Sequence, residues 1–475
     1  MENNKRIKPR LSLLSSGDIE RVHAYALQIL SRTGVRVDSD RIREYLAKKI
    51  GKSSVQDKTI HFPADVVEWA LRSAPGKIDL FDRRGQPAFQ LGDGSLHFGI
   101  GVTTLFYQDP QTDRIIPFTR RHMQDMVRLG NRLPHYDVIS TVGIVQDVPA
   151  SASDLYGSLE MIANTTKPLV LLVSDEKRFP DVLDLFTHLH ADLASHPFIL
   201  PYFNPVSPLV MNAGTLEKME LAIQRGLPVI FSNYSMAGAS TPLPPAGTLS
   251  LLLAELLAGL TISQIIKAGA PILLGMLPVY FDMKTMVNFY DPQSILLNLA
   301  CAEMMQHYHL PHAGTSGSGT GWGADLIAAD TYWMNTLTYA LTYGGLAPFV
   351  GDTLTSKVFS PNTVVYIHEV IEQALRFADG FQLDDEHAVL EEINQIGTGG
   401  SYLAAPSTRK GYKTGYYPSP IFNHLSMEKW QVAGEPKASQ VLQGYTADLI
   451  SSATAPDDHE SLITKGENYI SHLSF

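Results

Sequence analysis

Apolar positions along this chain follow two periods. Between residues 95 and 380, short apolar runs of strand length alternate with longer stretches whose apolar residues recur every three or four positions. The runs are Leu96–Ile100, Val138–Ile144, Leu169–Ser174, Phe198–Phe203, Pro228–Tyr234, Pro271–Leu277, Leu310–Thr315 and Ala347–Asp352. The helical stretches are Thr119–Leu133, Asp154–Asn164, Phe179–Leu193, Thr215–Arg225, Leu249–Lys267, Ser294–Tyr308, Asp325–Tyr343 and Asn362–Ala378. Gly226, Gly269 and Gly344 sit where a helix stops before the next run. Eight strand–helix repeats predict an α/β fold of the (β/α)₈ TIM-barrel kind. A doubly wound open sheet stays as the alternative, because counting repeats does not show closure.

Outside the repeats the pattern is mixed. Ser16–Thr33, Ser39–Lys49 and Pro63–Ser73 read as helices with caps or proline at their starts. Lys77–Phe81, Ala88–Leu91 and Ser95–Ile100 alternate like strands. The expected organisation is an α+β extension over 1–94, the barrel with its site over 95–380, and a C-terminal segment over 381–475. In that last segment the pattern predicts one helix, Asp385–Ile396, and then an extended wrap rich in Gly, Pro and Tyr.

One stretch breaks both periods. Leu310–Asp325 reads LPHAGTSGSGTGWGAD, with Gly314, Gly317, Gly319, Gly321 and Gly323 within ten residues. No helix or strand interior accepts that density of glycine. A strand, a glycine loop and a helix bring backbone N–H groups close to a ligand. The loop has neither the Lys-Ser/Thr of a P-loop nor a GxGxxG spacing. The indole of Trp322 argues for a ligand loop over a plain connection.

Composition narrows the class. With 475 residues, 44% hydrophobic and 18% charged, the chain can bury a large core. A net charge of -11 and only one basic run, Lys5–Arg10, argue against nucleic acid as a partner. Met1–Leu14 lacks a signal-peptide core, and the longest apolar segment, Leu249–Leu260, is interrupted by Glu255 and too short to span a bilayer. A cytoplasmic enzyme without membrane association is the expectation. The single cysteine, Cys301, excludes an internal disulfide and a multi-cysteine zinc site. His307, His309 and His312 are spaced so that their rings diverge, and no metal site is expected from them.

In a barrel of this kind chemistry sits where strands end. Those ends carry aromatics, amides and small residues, and no evident general base or Schiff-base lysine. Such a lining suits a cation held by ring faces, with contacts of about 0.5–2 kcal/mol each. Phe98, Tyr234, Trp322 and Phe359 are the candidate ring contacts. His97, Asn204, His312 and the glycine-loop amides are the candidates for holding an acidic end of the same ligand. The residue types assign no catalytic side chain.

Seven segments, in order, carry a resemblance. They are LFDRRG (Leu80–Gly85), LHFGIG (Leu96–Gly101), DLYGSLEMIANTTKPLV (Asp154–Val170), FNPVSPL (Phe203–Leu209), SMAGASTP (Ser235–Pro242), LAELLAGLTISQ (Leu253–Gln264) and GAPILLG (Gly269–Gly275). Through them the chain resembles the trimethylamine methyltransferase family over nearly its full length. The resemblance implies a barrel that passes a methyl group from a methylamine to the cobalt of a separate corrinoid (cobalamin-carrying) protein. The founding members use pyrrolysine, whereas this sequence holds only standard residues. It therefore looks like the non-pyrrolysine branch, which includes glycine betaine:corrinoid methyltransferase. That branch implies transfer from glycine betaine to Co(I), giving dimethylglycine and methyl-Co(III).

The sequence departs from the family pattern in two places. Where a Ser-Asp-Ala-Lys run is expected after strand seven, it has Gly319, Thr320, Gly321 and Trp322. Phe349 stands in place of a histidine and Thr355 in place of a glutamate, which adds Phe349 to the candidate substrate contacts. Loss of charged side chains fits a permanently cationic substrate. A quaternary amine would depart as a neutral amine and would need neither acid nor zinc. The rival readings are another betaine as donor (carnitine or proline betaine), a non-catalytic binder of quaternary amines, and a phosphate-handling barrel enzyme. A homo-oligomer is left open. The segment Ser401–Ser419, with Arg409, Lys410, Lys413 and several tyrosines, is a candidate docking surface.

Overall fold

Eight parallel strands form a ring, each followed by a helix on the outside. The computed structural model describes residues 6–190, 192–315, 319–422 and 424–474. The strands are β1 (Leu96–Ile100), β2 (Val138–Ser140), β3 (Leu169–Leu171), β4 (Ile199–Phe203), β5 (Val229–Ala237), β6 (Ile272–Asp282), β7 (residues 312–313) and β8 (Gly345–Val350). Pairing runs from β1 through β6 in order, and β8 returns to β1. The ring closes through two parallel bridges, Leu274↔His312 and Ala313↔Leu346. Closure settles the alternative of an open sheet, and the eight runs expected from the hydrophobic pattern are the eight positions of the barrel.

The helices that follow are α1 (Arg120–Arg132), α2 (Ser153–Asn164), α3 (Phe179–Leu189), α4 (Ala213–Gln224), α5 (Pro245–Ile266), α6 (Pro292–His307), α7 (Leu326–Ala340) and α8 (Pro361–Asp379). Strands six and seven approach closely. A Cβ on Gly275 would lie 1.7 Å from the Ala313 carbonyl oxygen, so the backbones of β6 and β7 touch where β6 has no side chain.

Inside the ring, Val138, Val170, Leu200, Ile230, Leu273, Ala313 and Leu346 form one apolar cluster with Ile78, Leu80 and Leu91. The last three belong to an antiparallel hairpin, Ile78–Phe81 with Pro87–Leu91. The hairpin runs directly into the start of β1 and donates the Phe81 amide to Pro197 and the Arg83 amide to Thr166, both just before strands. It therefore plugs the N-terminal end of the barrel. Each buried Leu or Ile there contributes about 1.5–3 kcal/mol.

Helix α5 is apolar all round and is the one helix among the described residues long and apolar enough to cross a membrane. Its surroundings explain this: 89% of its apolar window is buried, against the N-terminal helices Ser16–Gln28, Asp40–Ile50 and Ala64–Ser73 and its barrel neighbours. Glu255 in its middle is fully buried and accepts from Ser207 Oγ (2.8 Å), the Leu209 amide (2.7 Å) and Asn233 Nδ2 (2.9 Å), tying the loop after β4 to β5. Cys301 is buried in α6, and burial pushes its thiol up to about 12.

The C-terminal segment differs from its expected form. The helix over Asp385–Ile396 breaks at Val389, which has φ 42°, into Asp385–Ala388 and Leu390–Ile396. The expected extended wrap contains further helices, of which Ala438–Ser451 and His459–Ser471 pack on α1, α2, α3 and α8. Leu442, Thr446 and Leu449 of the first are buried at helical spacing, a signal masked by the Gly- and Pro-rich residues before it.

Candidate active site

At the opposite end from the plug the barrel is open. A cavity of about 540 Å³ is walled by the ends of β1, β3, β4, β5, β6 and β8 and by the first turns of α4. Two strands overshoot the ring: β5 and β6 stay paired up to Ala237↔Tyr280, and β6 turns back through Val287–Phe289. This raised hairpin brings Leu277, Asn288 and Tyr290 to the cavity wall beside Tyr234.

Tyr202, Tyr234, Tyr290 and Phe349 line the space, and Phe203 borders it with its ring packed edge to face on Phe179. Tyr202 and Phe349 meet edge to face, with ring centroids 5.2 Å apart. The Tyr234 hydroxyl accepts from Asn288 Nδ2, and the Tyr290 and Thr315 hydroxyls lie 3.4 Å apart. Burial raises the Tyr202 phenol to about 12 and the Tyr234 phenol further, so both rings are neutral at physiological pH. Phe349 points inward because β8 is irregular. Its register slips between Ala347 and Val350, so Leu346 and Phe349 both face the interior although three residues apart.

The loop after β8 supplies the lid side of the wall. Leu354, Thr355 and Ser356 are all left-handed, with φ 52°, 56° and 63°. Each such residue costs of order 1–3 kcal/mol and persists only where its surroundings fix it. Here the glycine loop fixes it: the Thr355 amide donates to Gly319 O (3.0 Å), the Leu354 amide to Gly321 O (3.0 Å) and Thr353 Oγ1 to Gly321 O (2.7 Å). This turn delivers Thr355 and Ser356 to the cavity. Just below it Asp352 is fully buried, its carboxyl beside the Ser356 hydroxyl and the Gly319 backbone. Burial pushes its carboxyl up to about 7, while the Ser356 hydroxyl beside it pulls the other way.

On the far wall stands Lys218 of α4, with Asn204 and Thr215. Its ammonium donates to the Val173 carbonyl at 3.0 Å, and burial lowers its pKa against the opposing pull of Glu176, Asp154 and Asp175.

Of the candidate residues read from the sequence, Asn204, Tyr234 and Phe349 line this cavity. The others lie elsewhere. His97 is at the plugged end, stacked on Phe89 with centroids 4.0 Å apart and 3.1 Å from Asp137. Phe98 faces outward, buried against Tyr339 of α7. His312 is buried near Tyr339, both ring nitrogens without partners among the described residues, and burial lowers it to about 3. Phe359 is fully buried in the outer core, over Gly351. Trp322 is 70% exposed and lines a separate surface crevice with Tyr366 and Phe422. The middle of the glycine loop, residues 316–318 with Gly317, lies outside the described residues.

Tyr202, Tyr290 and Lys218 went unread in the sequence. Tyr202 follows Leu200 at period two, but the uniformly apolar run around it hides which face is inside. Tyr290 lies beyond the predicted strand, on the returning arm of the hairpin. Lys218 reads as an ordinary helix-surface lysine.

Comparison with known proteins agrees with this architecture. Among solved structures, the monomethylamine methyltransferase MtmB of Methanosarcina barkeri superposes with a TM-score of 0.53, covering 98% of this chain and 90% of that one at 8% identity, which shows the fold. Among curated proteins, trimethylamine methyltransferase MttB of Desulfitobacterium hafniense (strain DSM 10664 / DCB-2) is 24% identical over 94% of this chain and 92% of its own length. Glycine betaine methyltransferase of Desulfitobacterium hafniense (strain Y51) is 22% identical over 95% and 96%. The family model described as trimethylamine methyltransferase (MTTB) matches residues 1–471. The chain therefore belongs to the trimethylamine methyltransferase family.

Proposed function

We propose that this protein transfers a methyl group from a quaternary amine to the corrinoid of a partner protein, with glycine betaine as donor and dimethylglycine as product. The observation that carries the reading is the ring of Tyr202, Tyr234, Tyr290 and Phe349 around the cavity at the open end of the barrel. Neutral aromatic faces attract a permanently charged ammonium at about 0.5–2 kcal/mol per ring and more when water is excluded. They offer nothing to an anionic leaving group, and none is required. When the methyl group leaves nitrogen, the C–N bonding pair stays behind and a neutral tertiary amine departs without a proton. The chain's work is then to orient one N-methyl group toward the mouth and to keep water from it.

The open end also suits a second macromolecular substrate. Met283, Met286, Val287 and Phe289 on the raised hairpin, with Val206 and Leu243 on neighbouring loops, are exposed apolar side chains. Such a rim fits a transient protein partner. We take the corrinoid protein as that partner, docking over the mouth so that its acceptor faces the cage.

The test mixes the purified protein with a reduced corrinoid acceptor and a panel of N-methyl donors, and follows methyl-corrinoid formation by absorbance. Turnover with a betaine, lost on Tyr202→Ala or Phe349→Ala, supports the reading. Turnover with none of the quaternary donors, with free or protein-bound acceptor, overturns it.

A further inference from the structure

The cavity has two chemically different walls. The rings come from β4, β5, β8 and the raised hairpin, whereas Lys218, Asn204 and Thr215 come from the β4–α4 connection and the start of α4. An ammonium held by the rings leaves the lysine wall facing the rest of the substrate. A lysine head group has three donors. Lys218 uses one, toward Val173 O at 3.0 Å.

Three carboxylates stand around it, and two of them accept backbone amides. Asp154 accepts from the Asp175 amide at 2.7 Å, and Asp175 accepts from the Lys177 amide at 2.9 Å. The Glu176 carboxylate lies over Gly214 in the first turn of α4, on the spot a Cβ would occupy. None of them forms an ion pair with Lys218 among the described residues. A part-buried ammonium without an ion pair is costly to hold, and an anionic ligand removes that cost.

We infer that Lys218 is the anion anchor of this cavity, so that the substrate is a trimethylammonium carboxylate whose charged ends span the two walls. The inference rests on the quaternary-amine reading and narrows it. The ammonium sits among Tyr202, Tyr234, Tyr290 and Phe349, and the carboxylate meets Lys218 with the Asn204 amide as a further donor. Lys218 thereby separates zwitterions from simple methylamines, which lack the second charge. A charge-assisted hydrogen bond of this kind is discriminating, because an analogue without the carboxylate leaves the ammonium unpaired.

The experiment is calorimetric titration of the full-length protein with (trimethylammonio)acetate, 4-(trimethylammonio)butanoate and tetramethylammonium. Wild type is expected to bind at least one of the carboxylates about tenfold or more tighter than tetramethylammonium. Lys218→Met is expected to erase that preference while tetramethylammonium binding stays within about twofold, and Lys218→Arg to restore part of it. The inference is overturned if Lys218→Met keeps the preference, or if it weakens all three probes alike at unchanged thermal stability. Should Lys218→Met fail to fold, wild type still decides. The carboxylate preference must decline as pH rises through the lysine titration while tetramethylammonium binding does not, and a flat profile overturns the inference. Burial raises the Tyr202 phenol to about 12 and the Tyr234 phenol further, so neither ring imitates the decline. Wild type that binds tetramethylammonium without preferring a carboxylate removes this inference alone. Wild type that binds no quaternary ammonium removes the parent reading as well.

Discussion

At its N-terminal end the barrel is closed by the hairpin over residues 78–91, whose Ile78, Leu80 and Leu91 join an apolar layer contributed by seven strands. At its C-terminal end β5 and β6 overshoot, β8 swings Phe349 inward through an irregular register, and the loop after β8 holds three consecutive left-handed residues. The difference shows where this chain spends its stability. Regular geometry and apolar filling sit at the plugged end, and irregular geometry is concentrated at the mouth. Histidine and carboxylate follow the same division: His312 is buried toward the plugged end, its ring nitrogens without hydrogen bonds among the described residues, and Asp352 is buried beside the cavity. A strained end is tolerable because the other end is over-determined.

Breaking the ring itself should erase the contrast. Gly275→Val places side-chain atoms on the Ala313 carbonyl and should cost more than about 3 kcal/mol, measured as loss of soluble, cooperatively unfolding protein.

Next in size is the pH response. His312 has its pKa lowered to about 3, below its unfolded value, so the unfolded chain binds more protons between about pH 6.5 and pH 3. Its contribution is full above about pH 6.5 and is lost as pH falls toward 3, on the order of 4 kcal/mol in total. Asp352, raised to about 7, has the opposite sign: its contribution is full below its unfolded pKa and is lost as pH rises toward 7. The two windows overlap between about pH 4 and pH 6.5 with opposing slopes, so chemical denaturation across that range should show a stability slope against pH that is lower than wild type in His312→Leu and higher in Asp352→Asn.

The contrast then sharpens at single side chains. Leu80→Ala in the plug should lower unfolding free energy by about 2–5 kcal/mol and leave quaternary-amine affinity unchanged. Tyr202→Ala in the cage should weaken that affinity by about 0.5–2 kcal/mol, roughly twofold to thirtyfold in Kd by calorimetry. If Leu80→Ala also abolishes binding in the folded protein, the two ends are not separable. The smallest effect is expected at Trp322. With 70% of it exposed and outside the cavity, Trp322→Ala should change donor affinity by less than about 0.5 kcal/mol, although the sequence nominates it for the cage.

Much of this molecule is legible in the residue order. Eight apolar runs at strand length and eight amphipathic stretches predict the repeat, because burial on a curved sheet and on a helix face imposes those periods. The ordered family segments predict the class of chemistry. A chain poor in charge at its strand ends predicts an aromatic, neutral lining; Asn204, Tyr234 and Phe349 line the cavity at the mouth, but so does Lys218, which that reading does not contain.

Tertiary structure decided the rest. Strand runs that are apolar throughout carry no alternation, so Phe98 outside and His97 inside are indistinguishable until the ring closes. Phe349 faces the cavity only because β8 slips in register, and Tyr290 reaches it only because β6 turns back on itself. Lys218 becomes part of the site because α4 starts at the mouth, a fact about loop path that no local pattern encodes. The sequence by itself determined the repeat and the family, since both follow from local periods and ordered segments. Which side chains face one another across the mouth was left to closure, where contacts between different strands and loops fix their directions, as Tyr202 against Phe349 and Lys218 on the Val173 carbonyl.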